Sequence, residues 1–435
     1  MPNVGLQAYL WNRLPEDARV KRLLWQQNAG TYKGYRAYIQ HVKGAGFPEV
    51  GAEEVLRAHS TGEWTAQQED PSSPRPAPSS PTTNPLPTPR IDFHHAFSAA
   101  RSPVSQLRFG RLTRDLLAWG DNAGAVFVAA LGASPRVLLA LRGGHAAPVT
   151  DLDWSGDNGL LASCSADGSA CLWEAGTGAL LRRFPPGVAG DAPLLSLRLH
   201  PVNQNLVLVG TGAGEVLVLN ASTGQCTARA PPAAPGAAAA RLEVATDVVH
   251  VAASDGTLSA LSTLLPGSTG ALRLGLHAEL ARVARATARA GRAAAPVTLD
   301  LLPACAAAGG GAALALGTED GQLSLHPLPE RGHALGAAQR FRLPRGPYAP
   351  RAALGGGGFR AGRGTLCALG RADATVHVHV LEAGGATKQA RGVGEPACML
   401  RGHAAAVAAA AWAFDESCLA SADVGGDVLV WHVQA

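Results

Sequence analysis

A chain of 435 residues that is 47% hydrophobic and only 16% charged has enough apolar material for one large domain with an extension, or for two or three average ones. A formal net charge of +4 over that length is too small to point to a nucleic-acid partner. Seven cysteines, an odd number without a C-x-x-C pair, argue against a disulfide framework and a zinc ribbon and suit a reducing compartment.

The N-terminal MPNVGLQAYLWNR lacks a basic start followed by an apolar core, so no secretory signal is expected. No apolar run reaches the length of a membrane span, so no membrane partner is expected. Residues 1–67 hold four of the five tyrosines (Tyr9, Tyr32, Tyr35 and Tyr38) together with Trp11, Trp25 and Trp64. Pro15-Glu16-Asp17 suits a helix start, and Tyr35, Tyr38, Ile39 and Val42 fall at helical spacing. Basic residues are interleaved with these aromatics but form no one-face stripe. The expectation is a small helical extension that packs on a protein surface, with no direct nucleic-acid contact. Residues 68–90 are a Pro/Ser/Thr-rich linker that cannot build a core. Its Ser73-Pro74, Ser80-Pro81 and Thr88-Pro89 steps resemble proline-directed phosphorylation sites of a kind common to such linkers.

From Ile91 onward the chain reads as strands. Ile91 to Phe97 is an isolated strand candidate, and Val104 to Ala140 is a first unit with a turn at Asp121-Asn122-Ala123-Gly124. Leu141 to Trp173 is more explicit. Val149, Leu152 and Trp154 suit one strand, Leu160 to Cys164 a second and Ala170 to Trp173 a third. Asp167-Gly168-Ser169 between the last two suits a tight hairpin turn, because Asp and Gly tolerate positive φ. The same pattern returns at Leu400 to Trp431 without a gap: His145 aligns with His403, Leu161-Ala162-Ser163 with Leu419-Ala420-Ser421, and Trp173 with Trp431. Weaker copies carry turns at Gly212-Ala213-Gly214, Asp255-Gly256, Asp320-Gly321 and Asp373, and the turn spacing widens after Gly256. Ala404 to Ala411 favours helix by propensity, but the repeat alignment reads it as strand.

A Gly-His pair opening such a unit and a Trp closing it resembles the WD-repeat family, whose units are four-stranded blades of a β-propeller. The resemblance implies an all-β WD-repeat β-propeller of about seven blades over residues 91–435. It also implies that His145, Ser163, Asp167 and Trp173 form a hydrogen-bonded chain within one blade. In the last blade His403, Ser421 and Trp431 are present, but Gly425 stands where Asp167 does, so an acidic partner is expected to be missing. The chain ends just after a third strand, so Ile91 to Phe97 is expected to complete the last blade and remove an open edge.

No catalytic constellation stands out: the glycine-rich stretches lack a phosphate-loop pattern, and there is no G-x-S-x-G elbow. His377 and His379 share one strand face, but no third ligand accompanies them, and a solvent-facing pair is expected. Arg282, Arg285, Arg289 and Arg292 would share one face if Glu279 to Arg292 were helical, giving a docking stripe for an acidic partner. The function expected is a non-enzymatic scaffold without a cofactor: a monomeric propeller that binds other proteins in a nuclear or cytoplasmic complex. The alternative is a substrate receptor of a cullin-type ubiquitin ligase. Such receptors carry Trp-Asp-x-Arg at a blade end, whereas these ends read Trp173-Glu174-Ala175-Gly176 and Trp431-His432-Val433-Gln434.

Overall fold

The structure is a computed structural model describing residues 89–187, 191–201, 203–232, 236–245, 248–255, 257–262, 275–282, 295–302, 312–328, 338–344, 352–355, 364–382 and 391–434. The chain divides into two units, Met1–Pro85 and Leu86–Ala435, and every described residue belongs to the second. The helical reading of residues 1–67 lies outside the described residues. Among those residues every regular element is a strand, and no helix is long and apolar enough to cross a membrane.

After β1 (Ile91–Phe97) come β2 (Val104–Phe109), β3 (Leu116–Asp121), β4 (Val126–Ala130) and β5 (Arg136–Leu141), which form the first sheet in that order. The second sheet is β6 (Val149–Trp154), β7 (Leu160–Ser165), β8 (Ala170–Glu174) and β9 (Leu180–Phe184). The third is β10 (Leu194–Leu199), β11 (Leu206–Thr211), β12 (Val216–Asn220) and β13 (Cys226–Ala230). The fourth is β14 (Ala239–Ala245), β15 (Val248–Ala253), β16 (Thr257–Ser262) and β17 (Gly275–Arg282). The fifth is β18 (Pro296–Leu302), β19 (Ala313–Thr318), β20 (Gln322–Pro327) and β21 (Gln339–Arg342). The sixth is β22 (Ala352–Leu354), β23 (Gly364–Gly370), β24 (Thr375–Glu382) and, after β25 (Arg391–Gly392), β26 (Cys398–Arg401). β25 leaves its own sheet and pairs in parallel with β21, adding a fifth strand to the fifth sheet. The last sheet is β27 (Val407–Trp412), β28 (Cys418–Asp423) and β29 (Val428–Val433), with β1 as its outer strand.

The first strands of consecutive sheets lie side by side, and β27 returns to lie beside β2, so the sheets close a ring. Closure by β1 follows the register Ile91 to Val433, Phe93 to Trp431 and Phe97 to Val428. Apolar side chains fill the spaces between sheets. Phe97, Leu107, Trp119 and Phe127 pack with Ala420 and Val430 where the last sheet meets the first, and Val128, Leu152, Trp154 and Trp173 pack between the first and second. Each fully buried large side chain contributes about 1.5–3 kcal/mol. In β27 the run Ala408 to Ala411 is extended, because a strand there completes a ladder with β28 and faces the sixth sheet; pairing and burial outweigh alanine's helical preference.

Among the described residues six first strands break register near their start, at Val104/Gln106, Val149/Asp151, Leu194/Ser196, Ala239/Arg241, Pro296/Thr298 and Val407/Ala409. Each break inserts one residue, which bends the strand and re-aims the side chains after it. Two inserted residues carry hydroxyls that stitch sheets together: Ser105 donates to the Val149 carbonyl, and Thr150 donates to the Leu194 carbonyl at 2.7 Å.

Candidate functional site

Two groups of polar residues organise the ring, one inside single sheets and one on the first strands around its axis. In the second sheet Trp173 Nε1 donates to Ser163 Oγ at 3.0 Å, and Ser163 Oγ lies 2.8 Å from His145 Nε2. His145 Nδ1 lies 2.8 Å from Ser169 Oγ, which donates to Asp167 Oδ1 at 2.6 Å. Donor counting sets the proton positions. The carboxylate only accepts, so Ser169 spends its proton there and must accept from Nδ1–H; Nε2 then accepts from Ser163. Direct approach of His145 to Asp167 is 3.9 Å, so Ser169 is a fifth member of the chain that the family pattern does not name. Asp167 also accepts from the amides of Ala146 and Ser169, fixing the turn to the loop that carries the histidine. Gly144 precedes the histidine because the Trp173 ring lies on it: a Cβ there would stand 2.4 Å from Cζ2.

The last sheet corrects one expectation. His403 has an acidic partner: its Nδ1 lies 2.9 Å from Asp423 Oδ2, and both side chains are fully buried. His403 Nε2 lies 2.7 Å from Ser421 Oγ, to which Trp431 Nε1 donates at 2.8 Å. Asp423 aligns with Ser165, not with Asp167, and it caps its own hairpin turn by accepting from the amides of Gly425 and Asp427. Asp121 in the first sheet caps the equivalent turn through Ala123 and Ala125. That recurrence of Asp at the end of a second strand was the sequence signal available for Asp423.

Burial pulls His145 down to about 4, with Asp167 opposing the shift and Arg183 adding to it. Burial also lowers His403, against the hydrogen bond and charge of Asp423. Both imidazoles are therefore neutral and structural at neutral pH.

The second group lies on the first strands. Gln106 Nε2 donates to Asp151 Oδ1 at 2.9 Å, and Asp151 Oδ2 accepts from Arg198 Nη1 at 2.7 Å. Arg198 Nε reaches Glu243 Oε2 at 2.9 Å, and Arg241 Nε donates to the Val297 carbonyl at 3.0 Å. Each step crosses from one sheet to the next, so side chains link the first five sheets in turn. Asp153 accepts from Arg111 Nη2 at 2.7 Å and from the Leu199 amide at 3.0 Å, a second link between the first three sheets. Burial opposes the charge on Asp151, but Arg198, Arg108 and Arg241 outweigh it and hold the carboxyl down to about 2. The sequence reading missed this group because its members fall in different repeats, and only ring closure brings them together.

Two further candidates change. His379 is buried, not solvent-facing: it sits opposite Cys367 in the sheet, on the side that packs against the fifth sheet, while His377 stays partly exposed. No group of three or more His, Cys, Asp or Glu among the described residues is placed to hold a metal ion. Arg282 ends strand β17, where it pairs with Thr257, so the run from Glu279 to Arg282 is not helical; Arg285, Arg289 and Arg292 lie outside the described residues. A strand that closes the fourth sheet by pairing with β16 replaces the helix that alanine content favoured.

The family model for the WD domain, G-beta repeat, matches residues 136–174 and 394–432. Each match runs from the outer strand of one sheet through the third strand of the next, and each contains one of the two histidine chains. Both segments are similar to WD40 repeats. The β-propeller domain of Cps50 (Swd1) from Myceliophteria thermophila is similar in structure, with a TM-score of 0.56 and 16% sequence identity over 79% of this chain and 100% of that one. Altogether 1740 chains of known structure match, so the likeness shows the β-propeller fold and singles out no one activity.

Proposed function

We propose that this chain is a non-enzymatic, seven-bladed WD40 scaffold that binds other proteins in a multiprotein complex, inside the nucleus or cytoplasm. The observation that carries the reading is the use of the polar groups. The two histidine chains hold turns and loops in place, and the charged side chains of the first strands link one sheet to the next. Groups committed in this way make a rigid disc whose loops are free to vary, which is how propellers present binding surfaces. WD40 propellers generally bind proteins. Free thiols at Cys164, Cys171, Cys226, Cys367, Cys398 and Cys418 suit a reducing compartment. The stretches from His200 to Leu206 and from Phe414 to Asp423 resemble WD repeat-containing protein 13 and support the nuclear reading.

The experiment is affinity capture of the full chain from nuclear and cytoplasmic fractions, then reconstitution of each retained protein with purified material. The expected result is a stoichiometric complex that survives gel filtration at physiological salt, with cross-links to the propeller loops. Elution of the purified chain alone with every reconstituted candidate counts against the scaffold reading.

A further inference from the structure

Three of the seven large apolar side chains that stand exposed among the described residues lie on two neighbouring outer strands: Leu138 on β5 (41% exposed), and Leu180 and Leu181 on β9 (43% each). The other four, Phe93, Met399, Phe414 and Val424, fall one apiece on β1, β26 and two separate turns of the last sheet. Single exposed residues are ordinary on a protein surface, whereas a cluster marks an interaction site. The register shows where this cluster opens, because side chains at paired positions share a face of the sheet. Leu139 is opposite Val128, and Leu180 and Arg183 are opposite Trp173 and Cys171. Val128, Trp173 and Cys171 all belong to the core between the first and second sheets. Leu139, Leu180 and Arg183 therefore line the seam where the outer edges of those two sheets meet. Arg136, opposite Ala130, faces the same seam, since Ala130 stands two residues beyond Val128. The turn between β8 and β9 sits close on that seam: a Cβ added to Gly178 would stand 3.2 Å from a Leu139 methyl.

Nothing in a blade demands leucine at the lips of this seam. Leu138 and Leu181 are the extra residues of two bulges, and the matching bulges hold Thr227 in the third sheet and His94 in the last. Each bulge also interrupts the edge ladder, so a further strand cannot run along β5 or β9. The charge here is one-sided. Four arginines, Arg136, Arg142, Arg182 and Arg183, stand on these two edges, and none is ion-paired among the described residues. Arg182 bonds the carbonyls of Ala221 and Ser222, and Arg183 bonds that of Gly144, so neither charge is neutralised. Arg136 is exposed with no hydrogen-bonded partner among the described residues. Against these four stand two acids, each held in its own turn: Glu174 by the Thr177 hydroxyl, and Asp167 by the amides of Ala146 and Ser169.

We propose that the seam between β5 and β9 docks an acidic amphipathic helix of a partner protein. The proposal rests on the scaffold reading and names the chemistry of a partner. Apolar side chains at helical spacing cover Leu138, Leu180 and Leu181, and carboxylates on the flank of the same helix reach Arg136 and Arg183. A helix suits the place because it brings side chains and asks for no ladder, which the bulged edges cannot offer.

The test selects peptides from a displayed library on the full chain and measures the selected ones by fluorescence anisotropy and circular dichroism. Helical peptides with apolar residues at i, i+3, i+4 and i+7 and acids beside them are expected. Leu138→Thr with Leu181→Thr should weaken their binding by about tenfold or more, with the melting curve of the chain unchanged. Arg136→Glu should weaken it by about threefold or more, and exchanging the peptide's acids for lysine should restore binding to that variant. Selected peptides that bind the leucine variant at parental strength overturn the proposal, as does selection of extended peptides or of none. A dimer of the chain that dissociates in the leucine variant would put a second copy on the seam and overturn it too. Proteins reconstituted under the scaffold reading separate the two failures. If they bind the leucine variant at parental strength, the seam falls and the scaffold stands; if no protein binds the parent chain, the scaffold reading falls and the seam with it.

Discussion

In the second blade the Nδ1 proton of His145 reaches Asp167 through Ser169, and that carboxylate sits on a partly exposed turn. In the last blade His403 meets Asp423 directly at 2.9 Å, and nothing of either side chain reaches solvent. The histidine, serine and tryptophan are the same in both. What differs is which residue carries the acid and what else that acid does. Asp167 ties its turn to the histidine loop through Ala146, whereas Asp423 combines turn cap and histidine partner in one side chain. A repeat thus keeps a function of the whole motif while moving it between positions.

The comparison can be broken most strongly at the acids. Asp423→Ala removes two turn caps and strands Nδ1 of a buried histidine, and should cost about 3–5 kcal/mol. Asp167→Ala opens a partly exposed turn, where water can take the place of the lost carboxylate, and should cost about 1–2 kcal/mol. Urea unfolding of the two variants checks the order, and equal losses would contradict the difference in burial.

The histidines themselves should show a smaller contrast in the same direction. His403→Ala leaves one oxygen of a buried carboxylate unpaired, at a cost of about 2–3 kcal/mol. His145→Ala leaves two serine hydroxyls that can rotate to other acceptors, at about 1–2 kcal/mol. This ordering reverses what the missing acid at Gly425 suggests from sequence. Thermal melts of both variants against the parent decide between the two orders.

The third expected effect is a slope with pH. Folded His145 titrates near 4 and the unfolded imidazole near its ordinary 6.5, so the unfolded state binds the extra proton between these values. Stability is therefore fully present above about 6.5 and is lost as pH falls toward 4, by at most about 1.4 kcal/mol per pH unit for this one group. His326, pulled down to about 4 by burial and Arg340, adds to the same window. His145→Gln should flatten the curve in that window more than His403→Gln does, since Asp423 opposes the lowering at His403. Midpoints of urea unfolding from pH 7 to pH 4.5 (about half-unit steps) measure it. An unchanged slope in His145→Gln would remove His145 from the account.

Most of the strand framework was legible in the residues. Apolar runs separated by Asp-Gly and Gly-x-Gly turns located the middle strands even in the fourth to sixth blades, where β15, β19 and β23 fall on the expected segments. Two histidine-bearing repeats were legible because Gly, His, Ser and Trp keep their spacing, and Ile91–Phe97 pairs with β29 as expected. The outer strand β17 was misread as helix because alanine and arginine favour helix locally, and a partner strand overrides that preference.

By itself, then, the order of residues determined the blade pattern, the turn chemistry and the place where the ring must close, since all of these depend on contacts within one repeat or on the number of strands available. Only the tertiary structure decided the rest. Asp423 reaches His403 because the end of a second strand turns toward the loop that opens the same blade. His379 is buried because the fifth sheet packs over its face. Asp151, Arg198 and Glu243 become neighbours because the ring brings together first strands that lie some forty-five residues or more apart along the chain.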